Sequence, residues 1–320
     1  MSVLIIGASL IGSQVARVLV EDNLRPVLFD LDFQQSALND IINLDQVDLV
    51  RGSVLRRQDL TEAIHKYHIS EIVHLAANAM LTNGAQENPY SAIELNILGT
   101  ANVLEVAREQ GLRRVVAASS SALAEFLSGG EDEGAMEKEE AFPRPTTFYA
   151  ATKQAKESLG LNYANWCGVD FVALRFASVA GPWRGKGGGG APSTAFRVAI
   201  DNAIAGRPAT VPARTLEWLY VKDAARAVQL VLNAEKLHSR VFNVGMGKIY
   251  TPEEIVSEVL KIMPRAPITV EQLPAGTPDT LTIPPLSLDR IRRELAYEPE
   301  FDMATAIHDY ACWAKGLDRK

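Results

Sequence analysis

Seven short apolar runs recur along the chain, with helical patterns between them. They cover residues 3–6, 27–29, 47–50, 72–75, 115–118, 171–174 and 241–244. The runs are continuous rather than alternating, which suits strands buried on both faces of a parallel sheet. Between the first two, Ile11, Val15, Val18 and Leu19 form an apolar stripe at helical spacing. Strands that alternate with helices imply βαβ units with right-handed crossovers. The expected fold class is therefore α/β, built on a doubly wound parallel sheet.

At 320 residues the chain has room for two domains of about 150 residues each. The pattern changes after residue 174. Residues 181–215 are rich in Gly, Pro, Ala and Arg and include the run Gly187-Gly188-Gly189-Gly190. A helix over 223–233 and the run 241–244 then return to the sheet pattern. The tail from Thr251 has helix starts and prolines but little strand signal. Thr251-Pro252-Glu253-Glu254 opens one such helix, with Thr as N-cap, Pro at the first position and acid at the positive end. The expected organisation is interleaved. Residues 1–175 plus 222–247 form a nucleotide-binding domain, and 176–221 plus 248–320 form a smaller substrate domain.

Several classes are set aside. Hydrophobic residues at 47% and charged residues at 22% are ordinary for a globular chain and exclude a disordered one. The net charge of −7 argues against bulk nucleic-acid binding. No apolar run approaches the roughly 18 residues of a membrane span. The apolar N-terminus lacks a basic opening and is broken by Gly7, Ser9, Gly12 and Ser13. A strand, a turn and a helix explain it better than a secretory signal. Cys167 and Cys312 form no CxxC pair and read as reduced thiols in a cytoplasmic protein. His65 and His68 could share a helix face but have no third ligand nearby, so no metal site is expected.

Gly7-Ala8-Ser9-Leu10-Ile11-Gly12 follows the first strand and opens the first helix. This is G-x-G-x-x-G spacing with Ser9 in the middle position. The context is that of a Rossmann turn, with a dinucleotide diphosphate on exposed backbone N–H groups. Asp30 ends the second strand, 18 residues after Gly12. An acid there accepts from the adenosine ribose hydroxyls and repels a 2′-phosphate, so NAD is expected rather than NADP.

Tyr149-Ala150-Ala151-Thr152-Lys153 places a phenol and an ammonium one helical turn apart on one face. Thr146 or Thr147 can cap that helix. A nearby cation favours a phenolate, which lets a tyrosine accept a hydroxyl proton. Ser119-Ser120-Ser121 follows the strand over 114–118, at a strand's carboxyl end, where doubly wound folds bind ligands.

In this order and spacing, the motifs resemble those of the extended short-chain dehydrogenase/reductases, the NAD-dependent epimerase/dehydratase family. His74-Leu75-Ala76-Ala77 resembles its HLAA, and Asn96-Ile97-Leu98-Gly99-Thr100 its NxxGT. Ala118 to Ala122 resembles ASSSA, and Tyr149 with Lys153 matches YxxxK. Leu174-Arg175-Phe176 with Gly181-Pro182 resembles LRxxNVYGP, with Ser178 for Asn and Ala180 for Tyr. Tyr220 to Ala225 resembles YVDDVA, and Phe242 to Gly245 the FNIG strand. The resemblance implies that Tyr149 is the acid/base and that Lys153 binds the nicotinamide ribose and tunes Tyr149. It implies that Ser121, with Ser120 as the alternate, holds the substrate oxygen, and that Asn96 positions the site. It also lays NAD against Gly7, Ser9, Leu10, Ile11, Gly12, Asp30, Ser53, Val54, Leu75, Ala76, Ala77, Asn96, Tyr149 and Lys153. Substrate is expected at Ser120, Ser121, Ser178, Arg184 and Arg214.

Departures narrow the choice. The glycine turn is one residue shorter than the family's GxxGxxG. Ala122-Leu123 stands where family dehydratases carry Asp-Glu, so dehydration is disfavoured. Leu216 stands where nucleotide-sugar enzymes usually carry Arg, although Arg214 lies nearby. Residues 131–140 hold six acids and one lysine and read as a solvated loop, with a lid as the alternative. Residues 182–216 carry Arg184, Lys186, Arg197, Arg207 and Arg214 against Asp201, which suits an anionic substrate. The expectation is an NAD-dependent oxidoreductase acting at a hydroxyl or carbonyl carbon of a sugar or sugar acid. A dehydrogenase is preferred to an epimerase because the short turn favours cofactor exchange. A nucleotide-sugar epimerase and a non-catalytic NAD sensor are the alternatives, and a homodimer is expected.

Overall fold

The computed structural model describes residues 2–77, 88–123, 138–140, 143, 145, 147–272 and 285–316. Its strands are β1 (Val3–Ile6), β2 (Val27–Asp30), β3 (Asp48–Arg51), β4 (Glu71–His74), β5 (Arg114–Ser120), β6 (Phe171–Phe176), β7 (Ser178–Ala180), β8 (Ala209–Val211), β9 (Leu216–Tyr220), β10 (Val241–Val244), β11 (Ile249–Tyr250) and β12 (Ile268–Val270). Its helices are α1 (Leu10–Glu21), α2 (Gln35–Asn39), α3 (Arg57–Tyr67), α4 (Pro89–Ile93), α5 (Gly99–Glu109), α6 (Phe148–Cys167), α7 (Ala191–Ile204), α8 (Val221–Asn233), α9 (Pro252–Ile262), α10 (Asp289–Leu295) and α11 (Met303–Ala314). No described helix is long and apolar enough to cross a membrane.

All seven apolar runs become strands of one parallel sheet, in the order β10-β6-β5-β4-β1-β2-β3. Alternate residues of each strand serve opposite faces. Val3 and Ile5 pack with α1, α2, α8 and α10, while Leu4 and Ile6 pack with α3, α5 and flanking residues of α6. Covering both faces is what demands continuous apolar runs. The chain leaves β1 toward β3 on one side and returns to β4 on the other. The strand order reverses between β1 and β4, so their carboxyl ends open a ligand crevice.

A separate core lies beside the sheet. Phe196 and Ile200 of α7, Trp218 of β9, Ile255 and Val259 of α9, and Ile307 and Tyr310 of α11 meet there. Two small sheets, β11-β9-β7 and β12-β8, cross it. The tail thus holds a strand, β12, where the sequence pattern carries little strand signal. Its pairing with β8 supplies the reason, since three residues of strand leave no periodicity to read. The opening at Thr251 forms as expected. The Thr251 hydroxyl accepts from Glu254 N, and the Glu254 carboxylate accepts from Thr251 N.

Glu217 of β9 stitches this core to the chain beyond residue 285. Its carboxylate accepts from Gly247 N at 2.7 Å and Leu286 N at 2.6 Å. Burial outweighs these donors and pushes its pKa up from the ordinary 4.5 to about 7. Between those values the folded chain holds a proton that the unfolded chain has released, so this residue's contribution to stability falls as pH rises. Relative to Glu217→Gln, the wild type is expected to lose on the order of 3 kcal/mol between pH 4.5 and 8. Urea unfolding at the two pH values checks this, and parallel curves for the two proteins would contradict it.

Candidate active site

Gly7 closes the turn after β1 with φ of +107°, in the region that favours glycine. A Cβ at Gly7 would lie 2.9 Å from Ala76 N, and one at Gly12 would lie 1.9 Å from Gly7 O. Both glycines are thus required by the packing of the turn on β4 and of α1 on the turn. Leu75 N and Ala76 N donate to Ile6 O at 2.9 and 2.8 Å, which holds the two crevice walls together. Ser9 is the N-cap of α1, yet its side chain makes no cap bond and the first turn holds no acid. The opening amides of α1, at Leu10 and Ile11, therefore face no competing anion from their own cap, and they suit a diphosphate.

Asp30 is tied to the same turn. Its carboxylate accepts from Ala8 N and from Leu31 N, each at 2.7 Å. An acid fixed beside the amides of a diphosphate turn suits the ribose hydroxyls of NAD. On the next strand end, Ser53 N donates to Asp59 at 2.8 Å and Asn102 donates to Val54 O at 2.9 Å, which fixes the backbone of the two expected cofactor residues there. Asp30→Ser should therefore narrow the preference for NAD over NADP at least about tenfold, the effect of removing one close charge repulsion. Titration with both dinucleotides reads this, and an unchanged ratio would remove Asp30 from the site.

At the other end of the crevice, α6 starts at Thr147, whose hydroxyl accepts from Ala150 N at 3.1 Å. Thr147 is thus the cap, and Thr146 lies outside the described residues. Tyr149 sits in the first turn, half-buried against Ala92, Ala122 and Leu123. Lys153, one turn on, is buried. Its ammonium donates to Ala118 O at 2.8 Å and lies 5.3 Å from the centre of the Tyr149 ring. The three serines differ. Ser119 donates to Glu157 at 2.5 Å, and the Ser120 hydroxyl accepts from Ala122 N at 3.1 Å. Ser121 opens the short 3-10 turn Ser121–Leu123, whose Ala122 and Leu123 form with Ala150 a buried cluster against which Tyr149 packs.

A buried relay of hydrogen bonds supports Tyr149 from behind. Asn96 lies in a π-helical turn, Glu94–Leu98, a distortion often found at functional sites. Its amide donates to the Thr152 hydroxyl at 3.0 Å, which donates to Tyr149 O at 2.8 Å. Thr100 donates to Asn96 O at 2.7 Å, so its oxygen accepts from His74 Nε2 at 3.1 Å. Burial and the nearby Lys156 and Lys153 hold the His74 imidazole well below its ordinary range. Lys156 is fully buried and is likewise pushed well down, by burial and by Lys153. No sequence motif points to Thr152, Glu157 or Lys156, and Thr100 stands out only as the end of NxxGT. Glu157 could have been found, since it stands one helical turn beyond Lys153 on the face that carries Tyr149.

The substrate side agrees less well with charge counting. Ser178 opens β7 opposite Trp218. Arg184 binds Asp40 at 3.1 Å and Ala314 O at 3.0 Å, and stacks 4.3 Å from the Trp313 ring. Arg197 donates to Trp183 O and Gly185 O at 2.9 and 3.2 Å. Arg214 is exposed just beyond β8. The acidic stretch also differs from expectation. Residues 131–137 lie outside the described residues, but the Glu139 side chain is 3% exposed rather than solvated. It accepts from Asn243 N at 3.0 Å and faces Arg290 at 3.6 Å.

The chain is similar to known proteins over most of its length. The family model described as the NAD dependent epimerase/dehydratase family matches residues 3–245. A UDP-glucuronate 4-epimerase of Thermodesulfobacterium geofontis is 25% identical over 301 residues, 93% of this chain and 88% of the relative. The mitochondrial L-threonine 3-dehydrogenase of Bos taurus is 28% identical over 266 residues, 81% of this chain and 68% of the relative. Among solved structures, the UDP-glucose 4-epimerase of Thermus thermophilus in complex with NAD superposes with a TM-score of 0.83 at 26% identity, over 99% of both chains.

Proposed function

The chain belongs to the NAD dependent epimerase/dehydratase family, and from that premise we propose that it oxidises a secondary hydroxyl of a sugar or sugar-acid-like small molecule. NAD is the cofactor, and when bound it supplies the hydride acceptor. Tyr149 takes the hydroxyl proton as the carbon–oxygen bond becomes a carbonyl. Lys153 faces the Tyr149 ring and binds the nicotinamide ribose, and Ser121 donates a hydrogen bond to the substrate oxygen. The observation that carries this reading is the packing of the serine turn onto Tyr149, with Lys153 buried one helical turn beyond.

A dehydrogenase is the leading form. The epimerase alternative draws on the UDP-glucuronate relative, as the dehydrogenase draws on the threonine one. In the proposed division of labour, residues 1–175 plus 222–247 hold the cofactor and 176–221 plus 248–320 hold the substrate, with Ser178 and Arg214 toward it. Incubation with NAD and a panel of sugars, uronic and aldonic acids, and nucleotide sugars decides the matter. Net NADH identifies a dehydrogenase, and an isomer without net NADH an epimerase. No turnover and no NAD binding would reject both. We further propose a cytoplasmic homodimer. Tyr90, Leu98, Phe148 and Trp166 are large apolar side chains left exposed along α4, the π turn and α6, the last by 83%. Light scattering at the mass of one chain would count against the dimer.

A further inference from the structure

The turn between β7 and α7 reaches back across the molecule to the expected dinucleotide site. A Cβ at Gly188 would lie 2.6 Å from Leu10 Cβ and 3.2 Å from Leu10 N, the first amide of α1. Gly188 has φ of +88°, so both its conformation and its contact require glycine. Two residues earlier, the Lys186 backbone is clasped by the Gln34 side chain. Gln34 Nε2 donates to Lys186 O at 2.8 Å, and Lys186 N donates to Gln34 Oε1. Gln34 stands four residues beyond Asp30, at the N-cap of α2. The inner side of the turn is anchored separately. Trp183 is 1% exposed and packs in the core that holds Ala8 and Leu10, and Arg197 grips Trp183 O and Gly185 O.

From these contacts we infer that residues 185–190 form the outer wall of the dinucleotide's diphosphate site, fastened by Gln34, and that opening this wall limits dinucleotide release. The inference rests on the proposed use of NAD. Its physical basis is placement. The diphosphate is expected on the amides of Leu10 and Ile11, and Gly188 lies directly against the first of them. The anchored side, at Trp183 and Arg197, belongs to the core, whereas the Gln34 clasp is a pair of exposed hydrogen bonds. The clasp is therefore the side that opens. It also bears on retention, because the short Gly7–Gly12 turn need not hold the cofactor alone.

The test uses the full chain loaded with NADH, with release followed by stopped-flow fluorescence on mixing with excess NAD. Gln34→Met keeps the side-chain volume and removes both clasp bonds, so release should quicken about tenfold. Gly188→Ala pushes the turn off Leu10 and should act in the same direction. A Gln34→Met rate within about twofold of wild type would overturn the inference. So would slower release or tighter binding, which would mean that the turn obstructs the site. Failure of the wild type to bind NADH is read separately, before any variant, and would overturn the cofactor reading itself.

Discussion

Tyr149→Phe should lower kcat about 10²- to 10⁴-fold while dinucleotide affinity stays within about twofold, because a positioned general base is worth this much. The substitution removes one oxygen and keeps the ring that packs against Ala92, Ala122 and Leu123. The relay from His74 through Thr100, Asn96 and Thr152 ends on the Tyr149 backbone, so it too is preserved. What is lost is the proposed proton acceptor alone. Lys153→Met should also suppress turnover, but it removes the donor to Ala118 O and should lower stability as well. Turnover of the preferred substrate and NADH fluorescence titration, run on one preparation, give both readouts. Turnover reduced less than about tenfold would take Tyr149 out of the proton path. If the wild type binds NAD but turns over none of the panel, the sensor reading replaces the enzyme one.

The parts of the molecule that are legible in the sequence are those set by neighbours along the chain. The seven sheet strands can be read because burial on both faces leaves continuous apolar runs. Gly7, Gly12 and Asp30 can be read because a turn and the next strand end lie within one βαβ unit. What escapes depends on contacts between distant segments. By charge alone, Arg184 and Arg197 suit an anionic substrate, yet both guanidinium groups meet backbone carbonyls and, for Arg184, Asp40. Charge counting gives the sign of a segment but not the direction of its side chains. Glu139 reads as solvated along with its acidic neighbours, yet Asn243 and Arg290, more than 100 residues away, bury it. The Gln34 clasp spans 152 residues and leaves no local trace.

Glu157 is the distant contact with the most at stake. It lies one helical turn beyond Lys153, and its carboxylate is 7% exposed. Arg175 of β6 meets it with two bonds, Nε to Oε1 at 2.9 Å and Nη2 to Oε2 at 2.7 Å. Ser119 donates to Oε1 as well, so one carboxylate joins α6, β6 and the head of the serine turn. Glu157→Ala deprives a nearly buried guanidinium of its carboxylate, and such a loss costs about 3–5 kcal/mol. Because the Ser119 bond goes with it, turnover should fall beyond what stability explains, since Ser121 follows on the same turn. Replacing both partners, Glu157→Leu with Arg175→Leu, should recover most of the stability, because a buried pair of charges contributes little over well-packed apolar groups. It should not restore turnover, because Ser119 still lacks its acceptor. Urea unfolding and steady-state rates on the three proteins separate the two effects. A single substitution that costs under about 1 kcal/mol would show that the pair does not hold α6 to the sheet. A double variant with full turnover would show that the serine turn needs no anchor at Ser119.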